Sequence, residues 1–123
     1  MATILAIDDM RSMRELVKSI LENRGHTVII QEDGDRALEF AKTNVVDLVI
    51  SDINMPNMNG VDLVQELRQL PGYLKTPILM LTTEDAQDKK NEAKIAGANG
   101  WIQKPFNPER LLKAVDTTLA KKL

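Results

Sequence analysis

Residues 45–60 read VVDLVISDINMPNMNG, an apolar run that ends in an aspartate and leads into a segment rich in Asn, Pro and Gly. Apart from Asp47, residues 46–50 are apolar and mostly β-branched, which is typical of a strand that is buried on both faces. They predict a strand that ends at Ser51 and Asp52. The composition of residues 54–60 favours a loop before the next helix.

Similar short apolar runs recur on both sides of this stretch, and amphipathic segments separate them. Residues 4–7, 27–30, 78–81 and 101–102 predict four more strands. Apolar stripes with helical spacing lie at 13–21, 37–41, 60–67 and 111–119, and residues 84–97 predict a further, mostly polar helix. Asn107 and Pro108 fit the N-cap and first position of the last helix. This alternation predicts an α/β fold, a doubly wound five-stranded parallel sheet of flavodoxin-like (βα)5 type with strand order 2-1-3-4-5.

Composition excludes several kinds of site. The 123 residues contain no cysteine and one histidine, His26, so disulfides, iron–sulfur clusters, thiolate zinc sites and histidine clusters are ruled out. A formal charge of −2 argues against nucleic-acid binding. The chain has no apolar run of membrane-spanning length and no basic segment ahead of its first apolar run. We therefore expect a cytoplasmic monomer, one domain over residues 1–123, with no membrane insertion.

Polar side chains follow the predicted strands, at the edge of the sheet where α/β proteins bind ligands. Asp8 and Asp9 follow the first strand, Asp52 the third, Thr82 the fourth and Lys104 the fifth. With strands one and three adjacent, three carboxylates converge and repel one another unless a cation lies among them. Oxygen ligands suit Mg²⁺ or Mn²⁺. A carboxylate beside a metal and a lysine can act as the nucleophile that forms an aspartyl-phosphate.

Together these residues resemble the receiver domain of response regulators in two-component signalling. The resemblance rests on Asp8-Asp9, on Asp52 in DINMPNMNG, on Thr82 after ILML and on Lys104-Pro105-Phe106, and it covers essentially the whole chain. It implies that Asp52 accepts a phosphoryl group from a histidine kinase. It also implies a single receiver domain with no effector domain, a signalling phosphoprotein rather than an enzyme with turnover.

The resemblance assigns a role to each signature residue. It implies that Asp9 and Asp52 bind Mg²⁺ through their side chains and that Asp8 positions the metal through a water molecule. It also implies that the backbone carbonyl of Asn54 is a metal ligand. Thr82 contacts the phosphoryl group through its hydroxyl and couples it to the switch. Lys104 binds the phosphoryl group and precedes a cis bond to Pro105.

Two more features concern the output. Trp101 matches the aromatic switch position, where Tyr, Phe or His is more usual. The absence of an effector domain, with Asn54 and Glu84 each two residues after a site residue, resembles the stand-alone chemotaxis type. The resemblance therefore implies partner binding through helix four, strand five and helix five. The partners expected are a histidine kinase and either a flagellar motor switch protein or a phosphatase.

Other interpretations remain open from the sequence. Asp8, Asp9, Asp52 and Thr82 could each be turn or cap residues, Trp101 a core residue and His26 a surface residue. Within signalling, the chain could drain phosphoryl groups from a kinase. An aspartyl-phosphate phosphohydrolase is a rival function, although Asn54 stands where such enzymes carry an acid. A flavin carrier would need a hydroxyl- and glycine-rich phosphate loop in place of Asp8-Asp9, and no P-loop motif is present.

Overall fold

The computed structural model of the protein describes residues 1–83 and 87–122; residues 84–86 and 123 and the side chains of Lys89 and Lys122 lie outside the description. Strands and helices alternate along the chain. The elements are β1 (Thr3–Ile7), α1 (Arg11–Asn23), β2 (Thr27–Gln31), α2 (Gly34–Thr43), β3 (Leu48–Asp52), α3 (Gly60–Leu67), β4 (Ile78–Thr82), α4 (Gln87–Ala96), β5 (Gly100–Gln103) and α5 (Pro108–Lys122). A 3₁₀ turn, Pro71–Tyr73, lies between α3 and β4.

All five strands are parallel and lie in the order β2-β1-β3-β4-β5, so the predicted fold is confirmed. The sheet order reverses between β1 and β3, which lie side by side. Ile7, the last residue of β1, pairs with Ser51, and Asp52 pairs with Leu81 of β4. This register brings the chain that follows β1 and the end of β3 to the same edge of the sheet.

The sheet has an apolar layer on each face, because its central strands are almost entirely apolar. Residues of α2, α3 and α4 cover one face, and residues of α1 and α5 cover the other. All five residues of β3 and of β4 are buried. Within the described ranges, no helix combines the length and the apolar content needed to cross a membrane.

Side-chain caps fix where three of the helices begin. Asp33 accepts a hydrogen bond from the backbone amide of Arg36 at the start of α2, and Asn59 caps α3 in the same way. Asn107 accepts from the amide of Arg110 at 2.8 Å, and α5 begins at Pro108 as predicted. These caps satisfy amides that the first helical turn leaves without a partner.

The predicted boundaries of two elements need correction. The strand predicted from residue 46 begins at Leu48, because Asp47 interacts with Thr3 through both its backbone and its side chain. The Asp47 amide donates to the Thr3 carbonyl at 2.8 Å, and its Oδ2 accepts from the Thr3 amide at 2.8 Å. The helix predicted over 84–97 is observed over Gln87–Ala96 and ends before Gly97, whose φ is +119°. The first three residues of that prediction lie outside the described chain.

His26 is not the surface residue that its position after α1 predicts. It is partly buried, and its Nδ1 accepts a hydrogen bond from the amide of Ala2 at 3.1 Å. Its Nε2 is buried and has no hydrogen-bond partner among the described residues. Burial lowers the pKa of His26, and the positive chain terminus lowers it further. The ring therefore anchors the N-terminal residues in its neutral form.

Candidate functional site

Three carboxylates converge at the carboxyl edge of the sheet. Asp8 and Asp9 directly follow β1, and Asp52 is the last residue of β3. Their ligand oxygens all lie within 4.8 Å of one another. Asp8 and Asp52 are buried, whereas Asp9 is exposed to solvent. The strand order thus brings together the acids that the sequence predicted to meet.

Asp8 is held in place through each of its polar groups. Its amide donates to the carbonyl of Gln31 at 3.3 Å, and its Oδ1 accepts from the amide of Met10 at 2.9 Å. Nη1 of Arg14 donates to its backbone carbonyl at 2.8 Å, and its Oδ2 lies 3.1 Å from Nζ of Lys104. A carboxylate that is fixed in this way can orient a neighbouring metal ion or water molecule.

Lys104 supplies a positive charge beside two of the three carboxylates. Its Nζ lies 3.1 Å from Asp8 Oδ2 and 3.3 Å from Asp52 Oδ2. Its amide donates to the carbonyl of Thr82 at 2.6 Å, which ties the chain after β5 to the end of β4. The bond between Lys104 and Pro105 is cis, as the resemblance implied.

Burial and the neighbouring charges of Lys104 and Asp8 shift the pKa of Asp52. Burial is the main cause that raises the pKa of Asp52, and the ammonium of Lys104 acts in the opposite direction. The nearby carboxylate of Asp8 raises the pKa of Asp52 further. The net shift is upward, so a cation placed among these oxygens favours the ionised form of Asp52.

The donor set fits a small divalent cation. Each of the three acids offers a carboxylate oxygen, and hard ions such as Mg²⁺ prefer oxygen ligands and retain some of their water. Asn54 lies beside them, and its backbone amide donates to Asp52 Oδ1 at 3.4 Å. Asp8, Asp9 and Asp52 are therefore the side chains that could hold the metal. The carbonyl of Asn54 remains a predicted ligand.

The other two predicted switch residues lie outside this cluster. Thr82 is buried at the end of β4, and its hydroxyl donates to the carbonyl of Thr83 at 3.3 Å rather than to a site carboxylate. Trp101 lies on β5 with 42% of its surface exposed, so its interpretation as a core residue is wrong. Nζ of Lys90, on α4, lies 5.5 Å from the centroid of the Trp101 ring. Glu84 lies outside the described residues.

The sequence interpretation missed Arg14. Its guanidinium reaches back from the first turn of α1 to the carbonyl of Asp8, so it helps to fix the chain at the site. A basic residue six positions after a strand-end acid, on the first turn of the next helix, is a signal that could have identified it. Two further arginines, Arg11 at the start of α1 and Arg24 directly after its end, made the signal weak.

Comparison with known families matches the response regulator receiver domain to residues 4–116. The chain belongs to the receiver family. This receiver is 35% identical over 114 residues to the chemotaxis protein CheY of Pseudomonas aeruginosa, a match that covers 92% of both chains. It is 38% identical over 114 residues to CheY-3 of Vibrio cholerae, covering 92% of this chain and 88% of that protein.

Solved structures agree with these sequence relatives. The chemotaxis response regulator CheY4 of Vibrio cholerae superposes on the receiver with a TM-score of 0.92 and 47% identity, covering 96% of this chain and 98% of that one. The protein is therefore a receiver domain of the type found in CheY chemotaxis response regulators. Receiver domains bind Mg²⁺ at an acidic pocket, and Asp8, Asp9 and Asp52 form such a pocket here.

Proposed function

We propose that the protein is a phosphorylation-activated switch that accepts a phosphoryl group on Asp52 from a histidine kinase. The observation that carries this proposal is the place of Asp52, a buried carboxylate at a strand end within 3.3 Å of Lys104 Nζ and grouped with Asp8 and Asp9. A nucleophile, a positive charge and a metal-ligand set thus lie together.

The chemistry is a transfer between two side chains. An oxygen of Asp52 attacks the phosphorus of the kinase phosphohistidine, a P–O bond forms, and the P–N bond breaks to release the histidine nitrogen. Lys104 donates hydrogen bonds to a phosphoryl oxygen, for which it exchanges one of its present carboxylate contacts. Mg²⁺, when bound, supplies positive charge that offsets the charge on the phosphoryl oxygens.

The output surface that we propose is formed by α4, β5 and α5. A groove of about 580 Å³ runs along β5 and α5 and is lined by residues that include Trp101, Gln103, Arg110 and Lys113. Trp101 offers exposed apolar area, while Arg110, Lys113 and Lys90 offer positive charge. The surface therefore suits a partner segment that carries acidic residues beside an apolar anchor.

The functions of the relatives, as their names state them, support a role for the protein in chemotaxis. The relatives from Pseudomonas aeruginosa and Vibrio cholerae are chemotaxis proteins, and the match extends over nearly their whole length. We accordingly propose a chemotaxis-type histidine kinase as the donor and the flagellar motor switch as the target. In this proposal, residues 1–123 act as one receiver domain, and the phosphorylated protein transmits the signal by binding its target.

The number of phosphoryl groups gained per protein molecule, compared with the phosphate released, tests the proposal. The protein is incubated with acetyl phosphate and Mg²⁺, while intact mass and released phosphate are followed together. A receiver gains one phosphoryl group and releases phosphate slowly. Fast, continuous release of phosphate with no accumulated adduct would instead indicate a phosphohydrolase and overturn the proposal. Transfer from a phosphorylated chemotaxis kinase then tests the donor.

A further inference from the structure

Arg68, the residue that follows α3, donates five hydrogen bonds to four other residues. Nε and Nη2 donate to the carbonyl of Gly97 at 3.2 and 2.8 Å. Nη1 donates to the carbonyls of Tyr73 and Thr76, both at 2.7 Å. Nη2 also donates to Oδ1 of Asn99 at 3.0 Å. One guanidinium thus connects the end of α3, the segment before β4 and the segment between α4 and β5.

This arginine has an unusual set of partners. Burial lowers its pKa, and no carboxylate pairs with it among the residues that the structure describes. All its partners are neutral oxygens, and hydrogen bonds from a charged donor are stronger than those between neutral groups. Arg11, by comparison, is exposed and pairs with Glu15 one turn along α1. The placement of Arg68 indicates a structural connection rather than a solvated surface charge.

One acceptor of Arg68, Asn99, is itself hydrogen-bonded to the start of β4. Oδ1 of Asn99 accepts a second hydrogen bond, from the amide of Ile78 at 2.8 Å. The amide of Asn99 donates to the carbonyl of Ile78, also at 2.8 Å. Asn99 therefore joins the start of β4 to the turn before β5, and Arg68 attaches the end of α4 to that joint.

The packing of α4 itself is uneven along its length. Among its side chains that the structure describes, only Ala93 is buried, and Ala96 is partly buried against the same core. Gln87 and Asp88 at its start are exposed, and Ile95 is 86% exposed. The buried apolar side chains of α4 that the structure describes thus lie in its second half, and the described side chains of the first half offer few apolar contacts to resist displacement.

Gly97 is the point at which Arg68 and α4 meet. Its φ of +119° ends the helix in a conformation that favours glycine. An added Cβ there would lie 3.1 Å from Nε and 3.2 Å from Cγ of Arg68. The guanidinium therefore packs directly on the helix end whose carbonyl it binds.

From these contacts we propose that Arg68 is the fixed pivot of α4. The C-terminal end of the helix stays bound to the sheet through Gly97, and a change at the phosphorylation site displaces the N-terminal end, which follows β4 in the chain. This proposal rests on the proposed function, because it names how α4 moves when Asp52 is phosphorylated. Arg68 is a positioning residue, far from the reacting atoms.

Amide hydrogen exchange measured by NMR tests the pivot in the unaltered protein. Spectra are recorded with Mg²⁺, in the absence and presence of beryllofluoride as the phosphoryl analogue. In an α-helix the amides of Asn91 and Glu92 donate to the carbonyls of Gln87 and Asp88, so they report the first turn of α4. Their exchange rates should change about tenfold, whereas those of Gly97 and Ala98 should change less than about twofold. Equal changes at both ends, or a larger change at Gly97, would overturn the proposal.

Variants separate the pivot from general stability. In Arg68→Met, the amides of Gly97 and Ala98 should exchange about tenfold faster, and beryllofluoride should then alter both ends of α4. Arg68→Lys keeps the charge but not the five donors, so it should give the same pattern in weaker form. This variant replaces Arg68→Met in the test if Arg68→Met does not fold. Arg11→Met, at an exposed arginine, should leave the pattern unchanged.

Phosphorylation measured on the same samples distinguishes two failures. The Arg68 variants should gain one phosphoryl group from acetyl phosphate as the parent does, because the site carboxylates are untouched. If the parent itself gains none, the proposed function fails. If the parent is phosphorylated but the Arg68 variants show parental exchange at Gly97 and Ala98, the pivot fails and the proposed function stands.

Discussion

Nζ of Lys104 lies 3.3 Å from Oδ2 of Asp52, although the two residues belong to strands that are not neighbours. Asp52 ends β3, Lys104 directly follows β5, and β4 lies between these two strands. Neighbouring strands are about 4.8 Å apart, so the two side chains and the ion pair between them together bridge roughly two strand spacings across the end of β4. Both groups are largely buried. Loss of the lysine charge would therefore leave the buried Asp52 carboxylate without its cation, whereas Lys104 would keep its contact with Asp8 if the charge of Asp52 were lost.

Asp52→Asn should abolish phosphorylation. The amide removes the nucleophilic oxygen and the negative charge while it keeps the size of the side chain. Intact-mass spectrometry after incubation with acetyl phosphate and Mg²⁺ should show one added phosphoryl group in the parent and none in the variant.

Asp33→Asn is the matched control, because Asp33 also lies just after a strand and the amide preserves its cap on α2. It should be labelled like the parent. Undiminished labelling of Asp52→Asn would refute the assignment of the site.

Mg²⁺ should stabilise the fold, because the metal relieves repulsion among Asp8, Asp9 and Asp52. At a free concentration one hundred times the Kd, bound Mg²⁺ raises the free energy of unfolding by about 2.7 kcal/mol. Asp9→Asn should remove most of this dependence while costing little stability in metal-free buffer, since Asp9 is exposed. Thermal melts with Mg²⁺ and with a chelator measure both effects.

Asp35→Asn changes an exposed aspartate in the first turn of α2, outside the cluster, and should keep the full Mg²⁺ effect. Identical melts of the parent in Mg²⁺ and in chelator would show that the acidic pocket does not bind the metal.

Acid should weaken the N-terminal anchor at His26. The pKa of His26 is lowered in the folded protein, mainly by burial, so the unfolded chain takes up a proton at higher pH than the folded one. The stability that comes from the neutral ring is full above the unfolded pKa of 6.5 and is lost as the pH falls through the folded pKa. Urea titrations between pH 7.5 and 5 should show this decline.

His26→Gln should flatten that part of the pH profile, because glutamine does not titrate. A parental slope that persists unchanged in His26→Gln would assign the decline to other groups.

Trp101 should report activation directly. The chain has one tryptophan, and 42% of its surface is exposed, so iodide quenches its fluorescence. If phosphorylation draws the Thr82 hydroxyl away from Thr83, space beside β4 allows the indole to move inward. Quenching should then fall when beryllofluoride and Mg²⁺ are added. Thr82→Ala should show little change, and equal quenching in both states of the parent would mean that the indole is static.

Gly60→Ala should destabilise the fold by about 3 kcal/mol. An added Cβ would overlap the backbone carbonyl of Asp52 and lie 2.6 Å from Cε of Met80, which is buried. Gly72→Ala is the control, since its Cβ would meet only the exposed side chain of Val45, which can move. Urea titration measures both variants, and comparable stabilities would contradict the close approach of Gly60 to β3.

The sequence predicted the sheet and the acidic cluster because both follow from short-range patterns. Apolar runs located the strands, and the ends of parallel strands necessarily share one edge, so Asp8 and Asp52 were expected to meet. The cap at Asn107 was equally local. The predicted start of β3 was wrong because the Thr3 amide donates to the side chain of Asp47 instead of to a backbone carbonyl of a neighbouring strand. This contact joins residues that are 44 positions apart in the sequence.

Long-range contacts explain the other misses. His26 follows a helix and resembles a solvated residue until the N-terminal segment folds over it. Arg68 resembles an ordinary surface arginine, and its acceptors lie between 5 and 31 residues away. For Trp101, the prediction was the aromatic switch position, and only the alternative of a core residue fails, because β5 is an edge strand and leaves the ring exposed. No local pattern encodes which apolar strand residue remains at the surface.

The uneven burial of α4 also has a consequence for how such proteins diversify. Asp52 lies in a strand whose every residue is buried, whereas α4 places one described side chain, Ala93, in the core. If α4 contributes to partner binding as proposed, substitutions at its exposed positions alter which partner is recognised at little cost to folding. A duplicated copy would then acquire a new target by changes confined to this helix, while the cluster of Asp8, Asp9 and Asp52 stays unchanged.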